Sequence, residues 1–97
     1  MVELSTLVLE TPIKRGDDEL SELKFRRPTS GDLRGISIAK LGQLDYDEIR
    51  RLLPRIAVTP IIAEEVDKID TADMVEIGNL LADFLFTKKR QAEFQTT

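Results

Sequence analysis

Apolar residues alternate with polar ones in the first quarter of the chain and recur at helical spacing through the rest. Thr6-Leu7-Val8-Leu9-Glu10-Thr11 is apolar and β-branched, and Leu23-Lys24-Phe25-Arg26 alternates apolar with charged. Period two is the mark of a half-buried strand, so strands are predicted at 6–11 and 22–27, paired as a hairpin. The charged stretch from Pro12 to Glu19 between them contains Gly16-Asp17, which supplies the turn chemistry of a hairpin or a longer loop. A lone two-stranded hairpin is marginal in water, so its apolar face, Leu7, Leu9, Leu23 and Phe25, must rest on helices or on another chain.

From Pro28 the pattern becomes helical. Pro28 stops the strand, and Thr29 with Asp32 has the spacing of a capping box, so a helix is predicted over 30–41 with Gly42 as its stop. Asp45 and Glu48 repeat the box ahead of Ile49, Leu52, Leu53 and Ile56, which stand at i, i+3, i+4 and i+7 and predict a helix over 46–57. Pro54 inside it predicts a kink or an early end, because it deletes the bond to the Arg50 carbonyl. Thr59-Pro60 reads as a cap with proline at the first helical position of a segment 60–68, carrying Ile62, Val66 and Ile69 on one side. Asp70 restarts the chain as the cap of a helix over 71–86, with Asp73 at its third position. The fold class is therefore α+β: an N-terminal hairpin followed by three or four helices packed as one small unit over 1–87, with 88–97 a polar tail.

The last helix carries more apolar surface than a monomer's surface helix requires. At about 100° per residue its apolar positions, from Leu80 and Phe84 through Ile77 and Leu81 to Val75 and Phe86, span an arc of more than about 200°, against the ~100° stripe that suffices to cover a core. Two readings follow. Either this is the central helix of a small core, or part of the arc, Leu85 and Phe86 above all, packs on another chain. With the hairpin face, these make Leu7, Leu9, Leu23, Phe25, Leu85 and Phe86 the candidate partner-binding residues. Gly78 and Ala82, four apart, allow close helix approach, for which interior fit is the simpler cause.

Composition removes most chemistry. The 97 residues contain no Cys, no His and no Trp, so thiolate nucleophiles, imidazole bases and the usual transition-metal ligands are absent. Asp67, Asp70 and Asp73 recur every third residue but lack the glycine and distal glutamate of a calcium loop. Glu64 and Glu65 are adjacent on a helix and diverge. No catalytic, metal or cofactor residues are assigned, and enzyme activity is not expected. Nor is a membrane partner, since no run approaches the ~20 apolar residues of a span. Charge is uneven: residues 1–58 balance, residues 59–86 hold seven acids against Lys68, and residues 87–97 hold three bases against Glu93. An acidic helical half repels phosphate, which argues against a nucleic-acid partner. The rival is a small helical DNA-binding regulator with Arg50, Arg51 and Arg55 on phosphates, and it suffers from the acids that follow where a recognition helix should be basic.

The order of signals resembles one family. An apolar strand, Pro12-Ile13, a charged turn, a strand ending Leu23-Lys24-Phe25-Arg26-Arg27, then Pro28-Thr29-Ser30-Gly31-Asp32-Leu33-Arg34, and finally Ile69-Asp70-Thr71-Ala72-Asp73-Met74 before a helix ending Phe84-Leu85, are similar to the tail assembly chaperones of contractile-tailed phages, the Mu-like and P2-like proteins. The likeness runs from about Thr6 to Leu85; Pro54 and the tail after Phe86 depart from it. It implies a non-catalytic protein of phage or prophage tail morphogenesis, working in the host cytoplasm and absent from the mature virion. Its implied partner is the tape-measure protein, kept soluble until tube subunits take over. It further implies a longer companion of the same chain made by ribosomal frameshifting, and self-association into a homo-oligomer. A generic protein adaptor is the remaining alternative.

Overall fold

A computed structural model of the chain describes residues 4–85. Strand β1 (Leu4–Arg15) pairs antiparallel with β2 (Asp18–Arg26); a 3-10 turn (Ser30–Leu33) leads to helices α1 (Ile38–Gly42), α2 (Tyr46–Ile56), α3 (Ala63–Val66) and α4 (Thr71–Leu85). The hairpin followed by helices is the expected α+β arrangement.

Both strands outrun the predicted 6–11 and 22–27 because the charged segment is itself strand. Ile13 lies opposite Leu20, and both are buried, so this cross-strand pair holds the distal hairpin together while the charges around it face water. The turn shrinks to Gly16-Asp17, with Gly16 at φ +56°, a conformation that costs glycine nothing. The register slips between Val8, opposite Glu22, and Ile13, opposite Leu20: four residues, Leu9 to Pro12, stand against Ser21. Pro12 sits in this bulge, where the ladder needs no amide from it.

One core joins the hairpin to the helices. Leu23 and Phe25 from β2, Leu52, Leu53 and Ile56 from α2, and Ile77 and Leu81 from α4 are all fully buried in it. At about 1.5–3 kcal/mol per buried side chain of this size, these contacts dominate the stability. After α2 the chain turns alongside β2: Ala57 bridges Phe25, and the Val58 amide donates to the Lys24 carbonyl at 2.7 Å.

The connecting segments depart from expectation. The predicted helix 30–41 breaks in two, because Gly35 takes φ +73° and the Ser37 hydroxyl starts a new turn by accepting from the Lys40 amide. Asp32 returns the predicted bond of the capping box, accepting from the Thr29 amide and hydroxyl. It also takes a two-pronged bond from Arg26, at 2.7 and 2.8 Å. The Arg26 guanidinium, followed by the Thr29 amide, holds the Asp32 carboxyl well below the usual carboxylate range. Helix α2 runs through Pro54 and ends two residues later, at Ile56. The segment 60–68 is helical only over Ala63–Val66, and its cap is not Thr59-Pro60: Glu65 reaches back to accept the Ile62 amide. Pro60 instead offers its carbonyl to Arg15, whose guanidinium also pairs with Glu65.

The three arginines of the DNA-binding reading are engaged within the chain. Arg50 pairs with Asp67, Arg51 with buried Glu48, and Arg55 donates to the carbonyls of Asp32 and Arg34. Glu48 also accepts the Ser37 amide at 2.7 Å, tying α2 to the start of α1. A row of guanidiniums bound to acids and carbonyls has little left for phosphate.

Candidate functional site

The closing segment Ile69-Asp70-Thr71-Ala72-Asp73-Met74 organises one end of the molecule. Asp70 caps α4 as predicted, its carboxylate accepting the Ala72 amide at 3.2 Å and its carbonyl the Met74 amide at 2.9 Å. Asp73 does something the helix spacing did not suggest. The residue is 2% exposed, and its carboxylate accepts the amides of Glu10 and Thr11 at 3.0 and 3.1 Å, one on each oxygen. Those amides are the ones the β1 bulge turns away from β2, so Asp73 clips the hairpin to the last helix. Asp67, Asp70 and Asp73 thus serve three separate tasks: an ion pair, a cap and a clip.

Beside this clip, α4 borders an apolar groove. Thr71, Met74, Val75, Gly78 and Asn79 line it on the α4 side, and Leu44, Tyr46 and Ile49 on the other, around a volume of about 310 Å³. Leu44 lies over Gly78: a Cβ built on Gly78 would meet Leu44 Cδ1 at 3.7 Å, an ordinary van der Waals contact. Leu44 has φ +58°, a left-handed conformation that bulky residues adopt at a cost of roughly 1 kcal/mol or more. Tyr46 forms the rim. Its hydroxyl donates to Asp67 Oδ1, the oxygen that also accepts from Arg50 Nε at 2.9 Å.

Burial, reinforced by the bond to Asp67, pushes the Tyr46 phenol up to about 12. This is the chain's one tyrosine, so an ultraviolet absorbance titration reads it alone. We expect a midpoint near 12 rather than the ordinary ~10, and a fall toward the ordinary value in Asp67→Asn. Because the folded pKa is raised, the stability linked to this phenol is fully present below pH ~10 and is lost as pH climbs toward 12.

The predicted partner residues lie elsewhere. Leu9, Leu23 and Phe25 are buried and Leu7 half-buried, so the hairpin's apolar face rests on the chain's own helices. Leu85 is half-buried beside Leu33, Ile38, Leu41 and Gly42, and Phe86 lies outside the described residues. Of the apolar arc on α4, Ile77, Leu81 and Phe84 go to the core, while Val75 remains 59% exposed at the groove. Leu44 and Tyr46 were not legible as groove residues: Leu44 sits in the short link before α2 and Tyr46 opens that helix, and no periodicity marks either.

The family described as phage tail assembly chaperone proteins, E, or 41 or 14, matches residues 6–85, nearly the whole of this fold. The chain belongs to this family. Tail assembly protein E of Escherichia phage P2 is 27% identical to this chaperone over 81 residues, covering 84% of this chain and 89% of E. Tail assembly protein E′ of the same phage is also 27% identical over 81 residues, which are 84% of this chain but 57% of E′. No solved structure matches the chain. The family that the Pro28–Arg34 and Ile69–Met74 segments suggested is the one found. The clip now gives the second acid of the closing segment a physical task, since in this tail assembly chaperone it joins the two halves of the fold.

Proposed function

We propose that this tail assembly chaperone is a non-catalytic holder of the tape-measure protein: it covers that protein's amphipathic helices in the host cytoplasm, until tube subunits replace it, and leaves before the virion is complete. The family match across residues 6–85 carries this reading. The groove supports it physically. A trough with exposed Leu44, Tyr46 and Val75 on its walls suits the apolar stripe of a partner helix. Strain held at Leu44 is of the kind that accumulates where a side chain must be presented. The match of one chain to both E and the longer E′ supports a longer companion built on the same residues, for which we infer a frameshifted product.

Co-expression with the tape-measure gene tests the proposal. The tape-measure protein should be soluble with this chain and insoluble without it; indifference to the chain would refute the holder role. Val75→Glu should lower the soluble yield roughly fivefold or more while leaving the chain's own unfolding within about 0.5 kcal/mol of the parent, since Val75 is an exposed side chain outside the core.

A further inference from the structure

The hairpin has two edges, and they are treated differently. The outer edge of β2 is occupied, because the Val58 amide donates to the Lys24 carbonyl and Ala57 bridges Phe25. That bond also sets the parity of the ladder. If the Lys24 carbonyl points away from β1, then Leu23 and Phe25 bond toward β1, to Leu7 and Ser5 opposite them. The backbone groups of Leu4, Thr6 and Val8 therefore point outward from the free side of β1. The Glu10 amide obeys the same parity and is met by Asp73 at 3.0 Å. Asp73 closes the edge at Glu10 and Thr11, and among the described residues nothing bonds to the outward amides and carbonyls of Leu4, Thr6 and Val8.

We propose that this open edge pairs with the same edge of a second copy, antiparallel and centred on Thr6, to make one four-stranded sheet across a two-fold axis. A symmetric pair of identical edges must run antiparallel. Centring on Thr6 uses every outward group in the window: Thr6 faces Thr6 of the second copy and Leu4 faces Val8, giving three hydrogen-bonded pairs that each exchange two bonds. The side chains agree with that register. Leu4 is 49% and Val8 67% exposed, unusual for an edge strand facing water, and the pairing lays each against the other across the axis. No charged residue falls in the window, so no like charges meet. The clip at Asp73 ends the window on one side. The pairing does not depend on the tape-measure reading, because it does not use the groove.

Sedimentation equilibrium of the full chain, with three variants, decides it. The parent should be a dimer. Thr6→Pro deletes an outward amide and no bond to β2; by symmetry the dimer loses two bonds, and its dissociation constant should rise about tenfold or more. Val8→Lys should do the same by placing a charge against Leu4, and it keeps the test decisive if proline also disturbs the strand. The chain has no cysteine, so Thr6→Cys introduces the one thiol; on the axis, where paired Cα atoms lie about 5.5 Å apart, it should form an intermolecular disulfide under mild oxidation. Glu22→Cys, on β2, should not. A parent that is monomeric at high concentration, or a dimer that ignores Thr6→Pro and Val8→Lys and leaves Thr6→Cys uncoupled, overturns the proposal. So does coupling that occurs only with a different protein's strand. Tape-measure solubility in the Val8→Lys background separates this result from the chaperone reading: a monomeric variant that still solubilises the partner supports both, and one that stays dimeric while solubilising it overturns the pairing alone.

Discussion

Asp73→Ala should destabilise the chain by about 3 kcal/mol, read as a lower urea midpoint with an unchanged slope. The carboxylate accepts two strand amides, those of Glu10 and Thr11, and is almost wholly buried. Removing it leaves two desolvated donors without an acceptor, and each such donor costs about 1–3 kcal/mol. Asp73→Asn keeps the shape but aims an NH₂ group at one of the amides, so it should recover only part of the loss. Hydrogen exchange offers a second reading: the Glu10 and Thr11 amides should lose protection in both variants while the Leu23 and Phe25 amides keep theirs at equal global stability. Asp70→Ala, which removes only a helix cap, should cost about 1 kcal/mol. If Asp73→Ala costs no more than that, the clip has no energetic weight.

Phe25→Ala should cost about 3–5 kcal/mol, the range for an aromatic lost from a packed core. Phe25 has no solvent exposure, sits beside Leu23 in the core shared with α2, and bridges to Ala57 through its backbone. Small domains are stable by only about 5–15 kcal/mol, so this one truncation consumes a large share of the total and should be visible as lost helical circular dichroism at moderate temperature. Phe25 was also a candidate partner residue by sequence, and the variant separates the two roles. Lost tape-measure solubility in Phe25→Ala should track lost folding across temperature, whereas in Val75→Glu it should appear in a chain that is fully folded.

Local signals carried much of this structure. The period-two strands, the helical spacing of Ile49 to Ile56 and the Asp70 cap each arise from residues within a turn or two of one another, and all three stand. Where the reading failed locally, a neighbour in space outweighed the neighbour in sequence. Thr59-Pro60 has good cap chemistry, but the Pro60 carbonyl is taken by Arg15, 45 positions earlier, and the helix begins only at Ala63. Ile13 and Leu20 turned a charged loop into strand because the pair could be buried together.

By itself, the sequence determined the α+β class, the order of the elements and the absence of thiol and imidazole chemistry, since periodicity, caps and residue inventory are properties of short stretches of chain; the family came from the resemblance of the Pro28–Arg34 and Ile69–Met74 segments. Only the tertiary structure decided that Asp73 holds the hairpin rather than its own helix, that the hairpin's apolar face is spent on the core, and that Leu44, Tyr46 and Val75 are left to line a groove. Each of those outcomes depends on which residues far apart in the chain become neighbours, as Glu10 and Asp73 do across 63 positions. Spacing along a chain does not encode that, because burial and hydrogen bonding are settled only when the hairpin and the helices pack.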